Sequence, residues 1–202
     1  RLQSWVPGRM LDELNPRTKR LREQWGLVAG QLSLALADFT HPAAPKVYKW
    51  NPATASNYRS LAKYMPEEKR EIANFFWDRF EQGTLPKITD LRHGINYQDA
   101  HEHNLLVDEA GNISGIIDFG DAMYAPTVCE LAVACAYAGM HLPDPLGGMA
   151  EVIRGYQEVF PLEEEEVSVL FDLIIGRLLL TVATAAENLH REPENTYLQV
   201  SA

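Results

Sequence analysis

The chain has 202 residues, 46% of them hydrophobic, and 28 Asp and Glu against 18 Lys and Arg give it a formal net charge of −10. A chain of this length can bury a core without a disulfide or structural metal, so one domain is the default, and the acidic balance without a Lys/Arg cluster argues against a nucleic-acid partner. Cys129 and Cys135 fit neither a redox pair nor a zinc set and are expected to be reduced core residues of a cytoplasmic protein. The longest apolar stretch, residues 173–186, is interrupted by Arg177 and is too short to span a bilayer, and no signal peptide is recognisable.

Arg1 opens the chain, and residues 1–6 read as a single strand stopped by Pro7-Gly8, as though the sequence began inside a longer protein. Over residues 18–39, Leu21, Trp25, Val28, Leu32, Leu36 and Phe39 repeat at helical spacing and predict a long amphipathic helix. His41-Pro42-Ala43-Ala44-Pro45 breaks it, an irregular loop carries Tyr48 and Trp50, and a short helix is expected over residues 56–63. Pro66-Glu67-Glu68 starts the next helix, with Ile72, Phe76 and Phe80 along one face and Gly83 and Pro86 as its end. Two apolar runs, residues 104–107 and 113–117, flank Asp108-Glu109-Ala110-Gly111-Asn112 and read as a hairpin. Helices are then expected over residues 127–139, 149–160 and 163–188, the last apolar nearly all round and therefore central. The acidic run at residues 163–166 is read as a solvated face at that helix's start.

The chemistry concentrates in residues 92–121. Asp99 is followed five residues on by Asn104, and the hairpin then delivers Asp118 at the head of Asp118-Phe119-Gly120-Asp121. Phosphoryl transfer needs a carboxylate to orient a hydroxyl and take its proton, with an Asn and a second Asp holding the Mg²⁺ that neutralises the phosphates. Each residue alone is ordinary loop chemistry; their order and spacing together carry the signal.

Residues 96–107 (NYQDAHEHNLLV), followed by residues 115–122 (GIIDFGDA), resemble the catalytic core of the aminoglycoside phosphotransferase family, which is choline/homoserine kinase-like. Ser4-Trp5-Val6-Pro7-Gly8 and Thr40-His41-Pro42-Ala43 look most like its hydroxylysine-kinase branch. The resemblance implies an α+β fold, the mostly helical C-terminal lobe of a protein-kinase-like structure with a small β-hairpin at the catalytic loop. Residues 1–8 would be hinge strand and linker and residues 9–202 the lobe. It implies ATP, or GTP, as phosphoryl donor, Mg²⁺ as cofactor and a hydroxyl of a small amino-bearing metabolite as acceptor. Asp99 matches the catalytic base, and Asn104 and Asp118 the metal ligands. Ser4, Trp5 and Val6 match the strand beside the adenine. His101 contacts phosphate or substrate or else braces the loop, Glu102 is grouped with it as substrate-binding, and Asp121 binds the substrate's ammonium or caps the next helix.

The sequence also departs from that pattern. Tyr97-Gln98 stands where the family has His-Gly, so Tyr97 would have to brace the Asp-Phe-Gly segment by its hydroxyl or ring. No Gly-rich phosphate loop or strand-borne Lys precedes the hinge, so the nucleotide-gripping N-terminal lobe is expected to be a missing partner and the chain alone inactive. The same departures leave a second reading, a non-catalytic substrate-binding or docking module of a larger phosphotransferase–aminotransferase fusion. A protein kinase is disfavoured by the lack of an Ala-Pro-Glu segment. Trp5, Trp25, Trp50 and Trp77 could form an aromatic box for a cation, but core packing is the better account of Trp25 and Trp77. His93, His101, His103 and Glu102 fit no zinc spacing.

Overall fold

The predicted long helix forms as α1, Lys19–Leu36, and begins where Thr18 Oγ1 accepts the N–H of Leu21 at 3.3 Å. A side-chain oxygen there satisfies one of the donors that every helix start leaves open. The computed structural model describes residues 4–195. They divide into two units, residues 4–46 with 92–163, and residues 47–91 with 164–195.

In the first unit α1 packs against α4, Pro145–Gln157. A β-carbon on Gly26 would lie 1.8 Å from the Val152 carbonyl oxygen, and one on Gly155 1.9 Å from that of Glu23. Only residues without a side chain allow two helix backbones to approach this closely. Arg22 Nε then meets Glu151 across the pair at 2.6 Å. The start expected at residue 149 moves up to Pro145, because Asp144 caps the helix by accepting the N–H of Gly147 at 2.9 Å and proline suits the first turn. The third helix, α3 at Val128–Gly139, packs on both α1 and α4 and is buried along nearly its whole length, Cys129 and Cys135 included.

Two small antiparallel sheets complete this unit. β1 (Arg9–Met10), β3 (Leu105–Val107) and β4 (Ile113–Ile116) form one in the order β1-β3-β4, and the β3–β4 hairpin is the one predicted. β2 (His93–Asn96) and β5 (Met123–Pro126) form the other, which the sequence pattern does not suggest. The strand expected over residues 1–6 needs correction. Residues 1–3 lie outside the described residues, and residues 4–6 belong to no strand. Pro7 has no N–H to give a ladder, Gly8 turns the chain at a φ of +135°, and pairing begins only at Arg9, opposite Val107.

In the second unit the segment Pro52–Tyr64 is 3₁₀-helical rather than a short α-helix. α2 spans Glu67–Arg79 and α5 spans Glu164–Arg191. The buried face of α2 carries Ala73 and Trp77 and leads on to Phe80, with Phe76 partly buried against the same core; of the expected stripe only Ile72, 62% exposed, points outward. Trp77 at that position fills far more volume than Ile72 could, and its indole N–H reaches Ala55 O at 3.3 Å. α5 is long and apolar enough to cross a membrane by composition, yet 72% of that stretch is buried inside the structure. Its buried Arg177 donates to Trp50 O at 2.7 Å and lies 5.0 Å over the indole. Glu166 is 1% exposed, so only the first part of the acidic run is solvated.

Candidate active site

β2 ends at Asn96, whose side-chain amide donates to Ala125 O at 3.1 Å and Pro126 O at 3.0 Å on β5. The chain then turns sharply. Gln98 has a φ of +58°, a conformation that costs roughly 1–2 kcal/mol for a residue other than glycine and persists only where the surroundings impose it. Asp99 follows directly. Its backbone oxygen accepts from His101 N at 2.8 Å, and Asn104 Nδ2 donates both to that oxygen at 3.1 Å and to Asp99 Oδ2 at 2.7 Å. From α1, Trp25 Nε1 holds the Ala100 carbonyl at 2.8 Å. The loop is thus fixed both from within and from the core.

His101 Nδ1 accepts the N–H of His103 at 3.1 Å, and its Nε2 lies 3.4 Å from Asp99 Oδ2 and 3.1 Å from Asn104 Nδ2. Of the two roles expected for His101, the geometry supports loop bracing. Glu102 turns instead toward Arg17, at 3.6 Å.

Asp118 is joined to this loop by several contacts. The N–H of Ile117 donates to Asn104 O at 3.0 Å, Tyr97 donates its hydroxyl to Ile117 O at 2.5 Å, and the Tyr97 and Phe119 rings are 4.9 Å apart. Tyr97 therefore braces the Asp-Phe-Gly segment through both hydroxyl and ring. Burial raises its pKa, and the charges of Asp99, Glu130 and Asp118 raise it further, while a hydrogen bond with Asn104 lowers it. Asp118 itself has a φ of +58°, and its Oδ1 accepts the N–H of Gly120 at 3.1 Å.

A cavity of about 700 Å³ opens beside Asp118, walled by Trp5, Val6, Met10, Leu106, Ile116 and Phe119. Ser4 also lines it, so all three residues expected beside a nucleotide base reach the same cleft as Asp118. Asp121 lies in the turn before β5 and does not cap the next helix, since α3 begins at Val128 with Thr127 at its cap position. Asn104 offers an amide carbonyl oxygen and Asp118 its carboxylate, hard donors of the kind Mg²⁺ prefers. Among the described residues no group of three or more His, Cys, Asp or Glu could hold a metal. Two protein oxygens suit Mg²⁺, which retains waters and binds largely through phosphate oxygens.

Sequence reasoning missed Glu130. It is fully buried in the first turn of α3, and its Oε2 accepts the N–H of Gln98 at 2.9 Å. Burial pushes its pKa up to about 7, opposed by backbone N–H bonds from Gln98 and Tyr97. The available signal was a single carboxylate in an otherwise uncharged, apolar helix.

An α+β chain in which an Asp-x-x-x-x-Asn loop and an Asp-Phe-Gly turn are fastened together has a kinase-like fold. The phosphotransferase enzyme family matches residues 1–164, and the chain belongs to that family. Hydroxylysine kinase of Mus musculus is 31% identical over 219 aligned positions, which cover 100% of this chain and 57% of that protein. The chain thus spans little more than half the length of that curated relative. Among solved structures, amicoumacin kinase in complex with AMP-PNP and Ca²⁺ matches with a TM-score of 0.64 and 17% identity, covering 91% of this chain and 56% of the other. A microcompartment-associated aminopropanol kinase matches with a TM-score of 0.57 and 18% identity, covering 91% and 59%. At such identities the structural likeness is one of fold.

Proposed function

We propose that this protein transfers the γ-phosphoryl group of ATP, or of GTP, to a hydroxyl on a small amino-bearing metabolite. The observation that carries this reading is the Asp99 carboxylate, held at 2.7 Å by Asn104 Nδ2, in a loop fastened to the segment bearing Asp118. Asp99 orients the acceptor hydroxyl and takes its proton as the new O–P bond forms and the bond between the γ-phosphorus and the bridging oxygen breaks, releasing the nucleoside diphosphate. Asn104 Nδ2 and His101 hold that carboxylate so that its orientation is settled before the substrate arrives. Asn104 Oδ1 and Asp118 would hold Mg²⁺, which when bound offsets phosphate charge. Ser4, Trp5 and Val6 line the cleft proposed for the base, where aromatic and aliphatic walls suit a purine ring.

The acceptor class is supported by the names of the relatives, a hydroxylysine kinase and an aminopropanol kinase, and we assign Asp121, three residues after Asp118, to the acceptor's ammonium group. Because the chain spans 57% of that hydroxylysine kinase, we propose that the rest of the grip on the triphosphate comes from further polypeptide. The nucleotide donor makes the cytoplasm the proposed compartment.

The test is a ³¹P NMR assay of the full-length polypeptide that carries this chain, with ATP or GTP, Mg²⁺ and a panel of hydroxylated amino acids, amino alcohols and amine-free alcohols. Phosphorylated product from the amino-bearing members is the expected result. Turnover of the amine-free alcohols alone would refute the acceptor class, and no product from any member with either nucleotide would refute the kinase reading.

A further inference from the structure

Between Asp99 and Asn104 the catalytic loop carries Glu102 and His103, and both are held from outside the loop by the short 3₁₀ turn Leu11–Glu13 and the residues just after it. The backbone N–H of Asp12 donates to the Glu102 carbonyl at 3.3 Å, Asp12 Oδ2 lies 3.2 Å from His103 Nδ1, and Arg17 Nη2 lies 3.6 Å from Glu102 Oε1. The Arg17 and Glu102 side chains are only 21% and 16% exposed, so this pair is screened less than a surface pair. Glu102 Oε2 is closed off from solvent and makes no hydrogen bond among the described residues, which leaves the Arg17 charge to offset the burial of the carboxylate. The holding segment is itself anchored. Leu11 has no exposed surface, and Arg22 of α1, bonded to Glu151 of α4, donates to the Arg17 carbonyl. The other side of the same segment walls the cleft, where Arg9, Met10 and Glu13 join Trp5 and Val6. Asp12 and Glu13 are neighbours in one turn, so one side chain meets the loop and the next meets the cleft.

We propose that Glu102 and Arg17 are positioning residues that tie the catalytic loop to the wall of the nucleotide cleft, so that a nucleotide in the cleft steadies the loop bearing Asp99. A nucleotide packed on Met10 and Glu13 restrains the turn that holds Asp12 between them. The Asp12 N–H and the Arg17 guanidinium then pass that restraint to residues 102–103, through a continuous set of contacts. With the loop steadied, the Asp99 carboxylate is aligned before the acceptor arrives, and less order remains to be imposed in the transition state. Glu102 thereby has a task that does not require it to touch substrate, in place of the substrate-binding role suggested by its position in the sequence.

This inference rests on the cleft holding the nucleotide and on Asp99 acting as the base, and its readouts separate it from both. The full-length polypeptide that carries this chain is prepared as wild type, Arg17→Met, Glu102→Gln and the double variant. Binding of Mg²⁺-AMP-PNP is measured by calorimetry, amide exchange over residues 99–104 is followed by mass spectrometry with and without that nucleotide, and kcat and KM are measured on the same proteins. In the wild type the nucleotide should slow exchange over residues 99–104 at least ~5-fold. In each single variant that slowing should shrink below ~2-fold, and kcat should fall ~3–10-fold with the acceptor KM within about twofold of wild type. The double variant should lose no more than either single one, because both remove the same contact. Either single variant carries the test should the other fail to fold. A wild-type response to the nucleotide in a folded single variant, or additive losses in the double variant, would overturn the proposal and leave the role of Asp99 intact. So would a wild type that binds AMP-PNP without any slowing of exchange in the loop. A wild type that transfers no phosphoryl group, yet whose loop is slowed by AMP-PNP in a way the variants abolish, would overturn the base reading and support the tie. A wild type that binds no AMP-PNP would overturn the reading of the cleft and the tie with it.

Discussion

Replacing Glu130 with Gln should change how stability depends on pH more than it changes stability at low pH. Burial moves this carboxyl from 4.5 to about 7, so between those values the folded protein keeps a proton that the unfolded chain has released. Stability therefore falls as pH rises through that window and levels off above about pH 7. A displacement of that size corresponds to about 3 kcal/mol. A glutamine of the same shape cannot ionise, so the stability of Glu130→Gln relative to wild type should increase by about 3 kcal/mol between pH 4.5 and pH 7.5. For a chain of this length, that is roughly 6–12 °C in Tm. Thermal or urea unfolding of both proteins across the range tests this, and the other titrating groups cancel in the comparison. Parallel stability curves would show that Glu130 does not carry its proton into the folded state, and the reasoning from burial would fail.

The helix interface makes its own prediction. Gly26→Ala must push apart α1 and α4, because the new methyl would sit 1.8 Å from Val152 O, and it should cost roughly 3 kcal/mol in urea unfolding. Gly83→Ala, where nothing lies within 4 Å, should stay within about 0.5 kcal/mol of wild type. Trp25→Phe keeps an aromatic ring but removes the donor to Ala100 O, so it should cost about 1–3 kcal/mol by the same assay and leave the loop less protected from amide exchange. Asp118→Ala should raise the Mg²⁺ concentration for half-maximal turnover at least ~10-fold, since even supporting residues of metal sites command that much. An unchanged Mg²⁺ dependence would remove Asp118 as a ligand.

The parts of this chain legible in its sequence are those whose local pattern and tertiary role agree. Of the residues at helical spacing, Leu21 and Trp25 are buried by α1, whereas Val28, Leu32 and Leu36 are only partly buried and Phe39, beyond the helix end, is 52% exposed; the close helix contact is made instead through Gly26, Ala29 and Gly30. The turn residues 108–112 separate two apolar runs, and those runs pair as β3 and β4. The pattern fails where tertiary packing decides. On α2 Ile72, Ala73, Phe75, Phe76 and Trp77 cover about half of the helix, so sequence alone could not choose Trp77 over Ile72 as the inward face. β2 and β5 are four residues each and contain His93, Gly94 and Asn96 or Tyr124 and Pro126, too short and too mixed to alternate. Their pairing is recognisable only once Asn96 is seen to bond the β5 carbonyls. At the site, Asp99, Asn104 and Asp118 were legible because their order and spacing are fixed by what phosphoryl transfer needs. Tyr97 was legible as a replacement brace, although only the structure shows that it uses both hydroxyl and ring. Glu130 was not, because its partners are backbone N–H groups 32 and 33 positions away and leave no motif.

The central claim is that the Asp99 carboxylate receives the acceptor's proton during phosphoryl transfer, and Asp99→Asn tests it with almost no change in shape. In the full-length polypeptide that carries this chain, with an amino-bearing alcohol and Mg²⁺-ATP, kcat of this variant should fall at least ~10²-fold while the nucleotide KM stays near that of wild type. Equal kcat values for the two proteins would contradict the account.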